Sequence, residues 1–265
     1  MTVRNTWLVG LLFVAAACGE AMEDGGAADV AGGAVTANLS GTQVFGTVVE
    51  MTADATLYAA ADYHSTVKRS LAKGTRGRIV RTTSSNGYYN IRVGSKVGWA
   101  AGAYMKAVSV PNTSDEHATA RAYSAVGFSY YWGGEQWNPT TESWGSCTGS
   151  CPDCDHSGSW GADCSGLITK AWKVGSSCSA LTDSCSSRPT AAGFRVTDPN
   201  GKWKNISRDS IAEGDVMAST THVVYYLSGD AWNTPTVIEC KGCADGCVKN
   251  ARSFSSTYRT SRRIW

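Results

Sequence analysis

Residues 160–172 read WGADCSGLITKAW, and the place of Cys164 in that stretch decides how the rest of the chain is read. Leu167, Ile168, Ala171 and Trp172 recur at i, i+1, i+4 and i+5, which is one face of a helix. Asp163 is a good N-cap residue, so Cys164 falls in the first helical turn. At such a position unpaired backbone N–H groups and the helix dipole favour the thiolate form of a thiol. A structural cysteine gains nothing there. A nucleophile does.

A thiolate nucleophile needs a base within hydrogen-bond reach, and the base needs an acceptor to orient it. The chain has four histidines. His64 lies in an early β-patterned region, His117 in the first helical run and His156 in a Cys-rich loop. His222 opens a strand-like run, THVVYYLSGD, after the turn signal Ala212-Glu213-Gly214-Asp215. A strand holds an imidazole more rigidly than a loop, so His222 is the candidate base. The run TVIECKG supplies Glu239 as orienter, because a hairpin across Ser228–Pro235 would carry it back beside His222.

The bulk numbers bound the classes of function. At 265 residues the chain holds one large domain or two small ones, and its net charge is only +2. No run of Lys or Arg marks a nucleic-acid groove, so no nucleic-acid partner is expected. The first 18 residues, MTVRNTWLVGLLFVAAAC, place Arg4 before an apolar core and then small residues, the pattern of an export signal. A Cys directly after small residues also resembles a bacterial lipobox, although Ala15 stands where a branched residue is usual. Lipid attachment at Cys18 is therefore expected ahead of plain secretion, with a membrane anchor and an outer-membrane or cell-surface address; otherwise the chain is secreted or periplasmic.

Export places the chain where disulfides persist. Of ten cysteines, setting aside Cys18 and Cys164 leaves an even remainder, consistent with four bridges and one reactive thiol. Cys178–Cys185 and Cys240–Cys247 are plausible local pairs, leaving one of Cys147, Cys151 and Cys154 for Cys243. The run Cys147-x3-Cys151-x2-Cys154-x-His156 also has ligand types and spacing suited to zinc. In an exported chain disulfides are preferred, and neither a metal nor another cofactor is expected. Trp132, Trp137, Trp144 and Trp160 are candidates for stacking on sugar rings, with core packing the preferred reading for each.

Composition divides the chain. Residues 19–44 are rich in Gly, Ala, Thr and acidic residues without apolar period, a flexible tether. Residues 45–108 alternate short β-patterned runs with KGT, SSNG and GSK turns, which predicts a small all-β barrel. Residues 109–116 are a linker, with Ser114 or Asp115 as cap of a following helix. Residues 117–265 form a second domain of α+β class, its helices packed on an antiparallel sheet.

Two resemblances sharpen this. KGT followed by NGYYNIRVGSKVGWAAGAYM (86–105) resembles the bacterial SH3-like domain of cell-wall hydrolases. YYWGG (130–134), ADCSGLITKAW (162–172), Arg188 with Thr190, IAEGDV (211–216), HVVYYLSG (222–229) and VIEC (237–240) together resemble the NlpC family of papain-like cysteine peptidases. The resemblance implies that Cys164 is nucleophile and His222 base, that Tyr130 lines the active site, and that Asp163 and Ser165 hold the amino-terminal end of the substrate peptide. The family's third residue is usually His; here it is Glu239, as in the related CHAP amidase-peptidases. The activity implied is hydrolysis of peptidoglycan stem peptides, at a γ-D-glutamyl–diamino acid bond, by a monomer. Two alternatives stay open: a CHAP-like N-acetylmuramoyl-L-alanine amidase, and a wall-binding lipoprotein without catalysis.

Overall fold

The structure is a computed structural model and describes residues 38–265. The export signal, Cys18 and residues 19–37 of the tether lie outside the described residues.

Seven short strands come first: β1 (Val48–Met51), β2 (Ala55–Tyr58), β3 (Val67–Leu71), β4 (Arg76–Ile79), β5 (Tyr88–Val93), β6 (Lys96–Ala101) and β7 (Met105–Ser109). They form one sheet in the order β3-β2-β6-β5-β4-β1-β7, with every pair antiparallel. The SSNG signal is a two-residue turn. Asn86 (φ 51°) and Gly87 (φ 76°) are both left-handed and Ser85 bridges Tyr88, the combination that matches strand twist. Leu57, Leu71, Ile79, Ile91 and Met105 are buried in one cluster that includes residues of both edge strands. The predicted all-β module is present as this one sheet, without closure into a ring, since no ladder joins β3 to β7. β3 exposes Lys68 and Arg69 along its length, and charged edge strands of this kind resist further pairing.

The second half starts with α1 (Ser114–Ala125). Thr113, rather than Ser114 or Asp115, is its N-cap: the Thr113 hydroxyl accepts from Glu116 N–H while the Glu116 carboxylate accepts from Thr113 N–H. Small pieces follow: β8 (Glu135–Gln136), β9 (Ser146–Thr148), β10 (Asp155–Ser157) and β11 (Gly161–Ala162). Next come α2 (Cys164–Trp172), β12 (Trp203–Ile206), β13 (Val216–Ala218), β14 (Val223–Ser228), β15 (Thr236–Gly242), β16 (Gly246–Ala251) and β17 (Arg259–Arg263). β12-β17-β13-β14-β15-β16 make an antiparallel six-stranded sheet, while β8 pairs β11 and β9 pairs β10. The described chain is thus mostly β, with two α-helices. Ala118 and Ala122 of α1, Leu167, Ile168 and Trp172 of α2, and Val216, Tyr225 and Ile238 of the sheet share one buried cluster. Burying side chains of that size contributes about 1.5–3 kcal/mol each, which fixes α2 against the sheet.

Four disulfides are present: Cys147–Cys243, Cys151–Cys154, Cys178–Cys185 and Cys240–Cys247. The two local pairs and the long-range partner of Cys243 follow the sequence expectation. Glu142 joins the halves, accepting from Lys68 Nζ and from Val97 N–H, both at 2.8 Å. Arg92 donates to the Pro139 and Thr141 carbonyls.

Candidate active site

The site begins at the head of α2. Asp163 caps the helix as expected: its Oδ1 accepts from Gly166 N–H at 2.7 Å and from the Ser165 hydroxyl at 2.9 Å. Its Oδ2 accepts from Gly133 N–H at 3.0 Å. The guanidinium of Arg188 forks onto both oxygens, at 2.7 and 2.6 Å. That carboxylate holds backbone and Arg188 in place and has little capacity left for a further donor. Arg188 stays fully charged: burial works against its cation, but the Asp163 hydrogen bonds and charge outweigh it and raise its pKa.

Gly166 explains the glycine of the Asp-Cys-Ser-Gly run. A Cβ there would lie 2.2 Å from the Gly134 carbonyl oxygen and 2.8 Å from Glu135 Cβ. The first turn of α2 therefore presses directly on residues 134–135, and the neighbouring Tyr130 bridges Ala162. Tyr130 is buried, and that burial, with the nearby Cys164 and Asp163, pushes its phenol pKa well above the ordinary range. Its hydroxyl keeps its proton and can donate.

Cys164 is the free cysteine among the described residues, 6% exposed, its Sγ 3.9 Å from the Thr221 carbonyl. His222 comes from the turn between β13 and β14. That turn is tied by Ser219 N–H to the His222 carbonyl at 2.7 Å and His222 N–H to Ser219 Oγ at 2.9 Å. The β14–β15 register, Tyr225 opposite Ile238, brings Glu239 back to His222, where Nε2 and Oε2 are 2.6 Å apart. With Nε2 committed to Glu239, Nδ1 is the nitrogen left to face Cys164, whose charge acts on the imidazole. Burial disfavours the imidazolium, but Cys164 and Glu239 overcome it, and His222 is pushed up to about 9. Burial would raise Glu239 too; hydrogen bonds from Arg252 and His222 reverse this and hold it down at about 2. At neutral pH the network therefore favours imidazolium beside carboxylate.

Arg252 is the residue that sequence reasoning missed. It follows β16 directly and donates Nε to Glu239 Oε1 and an Nη to Oε2, both at 2.7 Å, while Glu239 itself is fully buried. An arginine just past a strand reads as a solvated side chain, and only the β15–β16 pairing shows otherwise.

Tyr131, Trp132, Gly133, Glu135, Ser187 and Arg188 line part of an open cleft of about 460 Å3 beside the head of α2. Trp132 is 51% exposed on its rim, whereas Trp137 is buried with its Nε1 donating to Ser124, and Trp144 stacks on Phe128. Trp160 packs partly buried against the core. His156 pairs with Ser129 Oγ at 2.8 Å and stacks on Tyr131. Cys164, His222 and Glu239 are thus brought together with Tyr130, Asp163 and Ser165 around one helix terminus. A thiol, an imidazole with one nitrogen free for it, and a buried carboxylate behind the imidazole can move a proton in acyl transfer.

No family model and no curated protein matches the chain. Among solved structures it is distantly similar to NlpC2 from Trichomonas vaginalis, with 16% identity, a TM-score of 0.35, and 83% of this chain and 72% of that chain covered. NlpC1 from Trichomonas vaginalis gives 17% identity, a TM-score of 0.35 and coverage of 83% and 69%.

Proposed function

We propose that the protein is an exported cysteine peptidase acting on peptidoglycan stem peptides, at the bond between γ-D-glutamate and a diamino acid. The observation that carries this reading is the Cys164–His222–Glu239 arrangement, Cys164 and Glu239 buried, with the His222 Nε2 to Glu239 contact at 2.6 Å. The residue pattern set out in the sequence supplies the substrate class.

In this mechanism the Cys164 thiolate attacks the scissile carbonyl carbon while imidazolium stands beside it. The resulting oxyanion is met by the Cys164 backbone N–H, unpaired at the helix terminus, and by the Tyr130 hydroxyl. His222 gives its Nδ1 proton to the leaving amine and then takes one from the water that releases the acyl group. Glu239 keeps its charge throughout and fixes the imidazole. Asp163 and Ser165 face the amino-terminal end of the peptide, Asp163 as part of the wall rather than as a free acceptor. The disulfides Cys178–Cys185 and Cys240–Cys247 support export. We extend the proposal to a monomer of two domains, 45–108 and 117–265, anchored through a lipid on Cys18.

Mass spectrometry of digested peptidoglycan tests the reaction. A new free amine on the diamino acid supports the proposed bond, whereas one on L-alanine assigns the muramoyl amidase alternative. Digestion undiminished in Cys164→Ser would remove the nucleophile assignment. Fatty-acid-analogue labelling that is equal in Cys18→Ala would remove the anchor.

A further inference from the structure

Cys147, Cys151, Cys154 and Cys243 come together from two distant parts of the chain. Their Sγ atoms all lie within 4.8 Å of one another, although Cys147 and Cys243 are 96 residues apart in sequence. Cys151 and Cys243 belong to different bridges, yet their sulfurs are 3.7 Å apart. Four thiolates at about 2.3 Å around a tetrahedral zinc ion have sulfur–sulfur edges of about 3.8 Å. One of the four non-bridged edges of the cluster already has that length, and the other three are no longer than 4.8 Å.

The other two disulfides behave differently. Cys178–Cys185 and Cys240–Cys247 each close a loop of sequence separation 7 and need no second bridge beside them. Two independent bridges gain nothing by converging on one point, whereas four ligands of one ion must do so. The even number of cysteines is met equally well by two bridges plus a four-sulfur centre. The sequence offers His156 as a fourth ligand, but its Nε2 is on Ser129 and its ring on Tyr131; Cys243, in the turn between β15 and β16, takes that place.

We propose that these four cysteines are a structural zinc site, and that the two bridges among them are its metal-free, oxidised form. An all-sulfur tetrahedral set selects zinc over calcium, magnesium or manganese, and four protein ligands close the site. On binding, the ion displaces four thiol protons to solvent and no electrons move. In the oxidised form each bridge has lost two electrons and two protons to a disulfide-class oxidant. The site would fasten the β9–β10 hairpin to the β15–β16 turn. That hairpin carries His156 against Tyr131, so the ion would brace one wall of the cleft from behind.

The test is metal binding by the full chain, independent of any peptidase assay. The protein is reduced with a phosphine, which takes up one water oxygen per bridge as phosphine oxide, and titrated anaerobically with cobalt(II) and then zinc. A tetrathiolate cobalt spectrum that saturates at one ion per chain and is displaced by zinc is expected. It should persist in a Cys178→Ser, Cys185→Ser double variant, with Cys243→Ser weakening binding by at least tenfold. X-ray absorption on the zinc-loaded wild type needs no variant and should show only sulfur ligands. Absence of the cobalt spectrum, its survival at full affinity in Cys243→Ser, or nitrogen or oxygen in the zinc shell would each overturn the proposal.

Discussion

Two buried carboxylates flank Cys164, each held by an arginine fork, and they do different work. Asp163 spends its oxygens on backbone N–H groups, the Ser165 hydroxyl and Arg188. Glu239 spends its oxygens on Arg252 and on the one side chain able to move a proton, His222. The same ion-pair chemistry therefore builds a helix terminus on one side and orients a base on the other. What separates them is whether the third partner is fixed backbone or a titratable ring.

The sharpest way to break this comparison is Glu239→Ala. Losing an orienter of this kind costs on the order of 10²–10⁴-fold in turnover. Glu239→Gln, which keeps an acceptor oxygen without the charge, should fall between Ala and wild type. Turnover of folded Glu239→Ala within about twofold of wild type would pass the orienting role elsewhere. Asp163→Ala should show the opposite signature, a loss of stability first. Removing one partner of a buried pair costs about 3–5 kcal/mol, helix cap included, and denaturant midpoints measure it. If Asp163→Ala unfolds at the wild-type denaturant concentration, the two carboxylates are not divided as described.

A smaller effect separates pairing from simple loop closure. Replacing Cys178 and Cys185 with Ser should cost about 2–3 kcal/mol for a loop of this size, with turnover nearly unchanged. Arg188 and Glu135 would carry the consequence if turnover fell, since Glu135 accepts from Cys185 N–H at 3.0 Å.

The pH dependence follows from the signs. The folded His222 pKa, about 9, is raised above its ordinary 6.5. Its stabilisation is therefore complete below pH 6.5 and is lost as pH rises through 9. Glu239 is depressed to about 2 from 4.5, so its contribution is complete above 4.5 and is lost as pH falls through 2. The pair is most stabilising between those windows, and activity that needs imidazolium should decline through about pH 9. Glu239→Gln removes a charge that raises His222 and should move this alkaline limb downward, which a kcat/KM profile will show. A limb unmoved by Glu239→Gln would uncouple the two residues. Smallest of all, Glu142→Gln weakens a half-exposed contact with Lys68 and should cost only about 1 kcal/mol or less.

Much of the site was legible because it is local. Asp163 as cap, Cys164 in the first turn and Glu239 carried back by a hairpin all depend on residues near in sequence. The Thr113 cap was legible too, through Glu116 three residues on, but cap propensity alone favoured its neighbours. Arg252 and the placement of Cys243 were not legible in full, because each depends on β15–β16 pairing and on contacts with residues far away. Whether β3 and β7 join was not legible for a related reason: turn signals specify neighbouring strands, and closure is a property of the two ends of the sheet.

The order of the six-stranded sheet also sets a timetable for synthesis. β12 has a single ladder partner, β17, which pairs Trp203 with Arg263 and Ile206 with Thr260 far later in the chain. Arg262 of β17 also closes the Asp215 ion pair at 2.7 Å. A nascent chain stopped before β17 already contains Cys164, His222 and Glu239, yet β12 is unpaired and one flank of β13 is open. Every reacting group thus precedes β17 in the chain, while the sheet that aligns them is complete only once β17 has paired with β12 and β13.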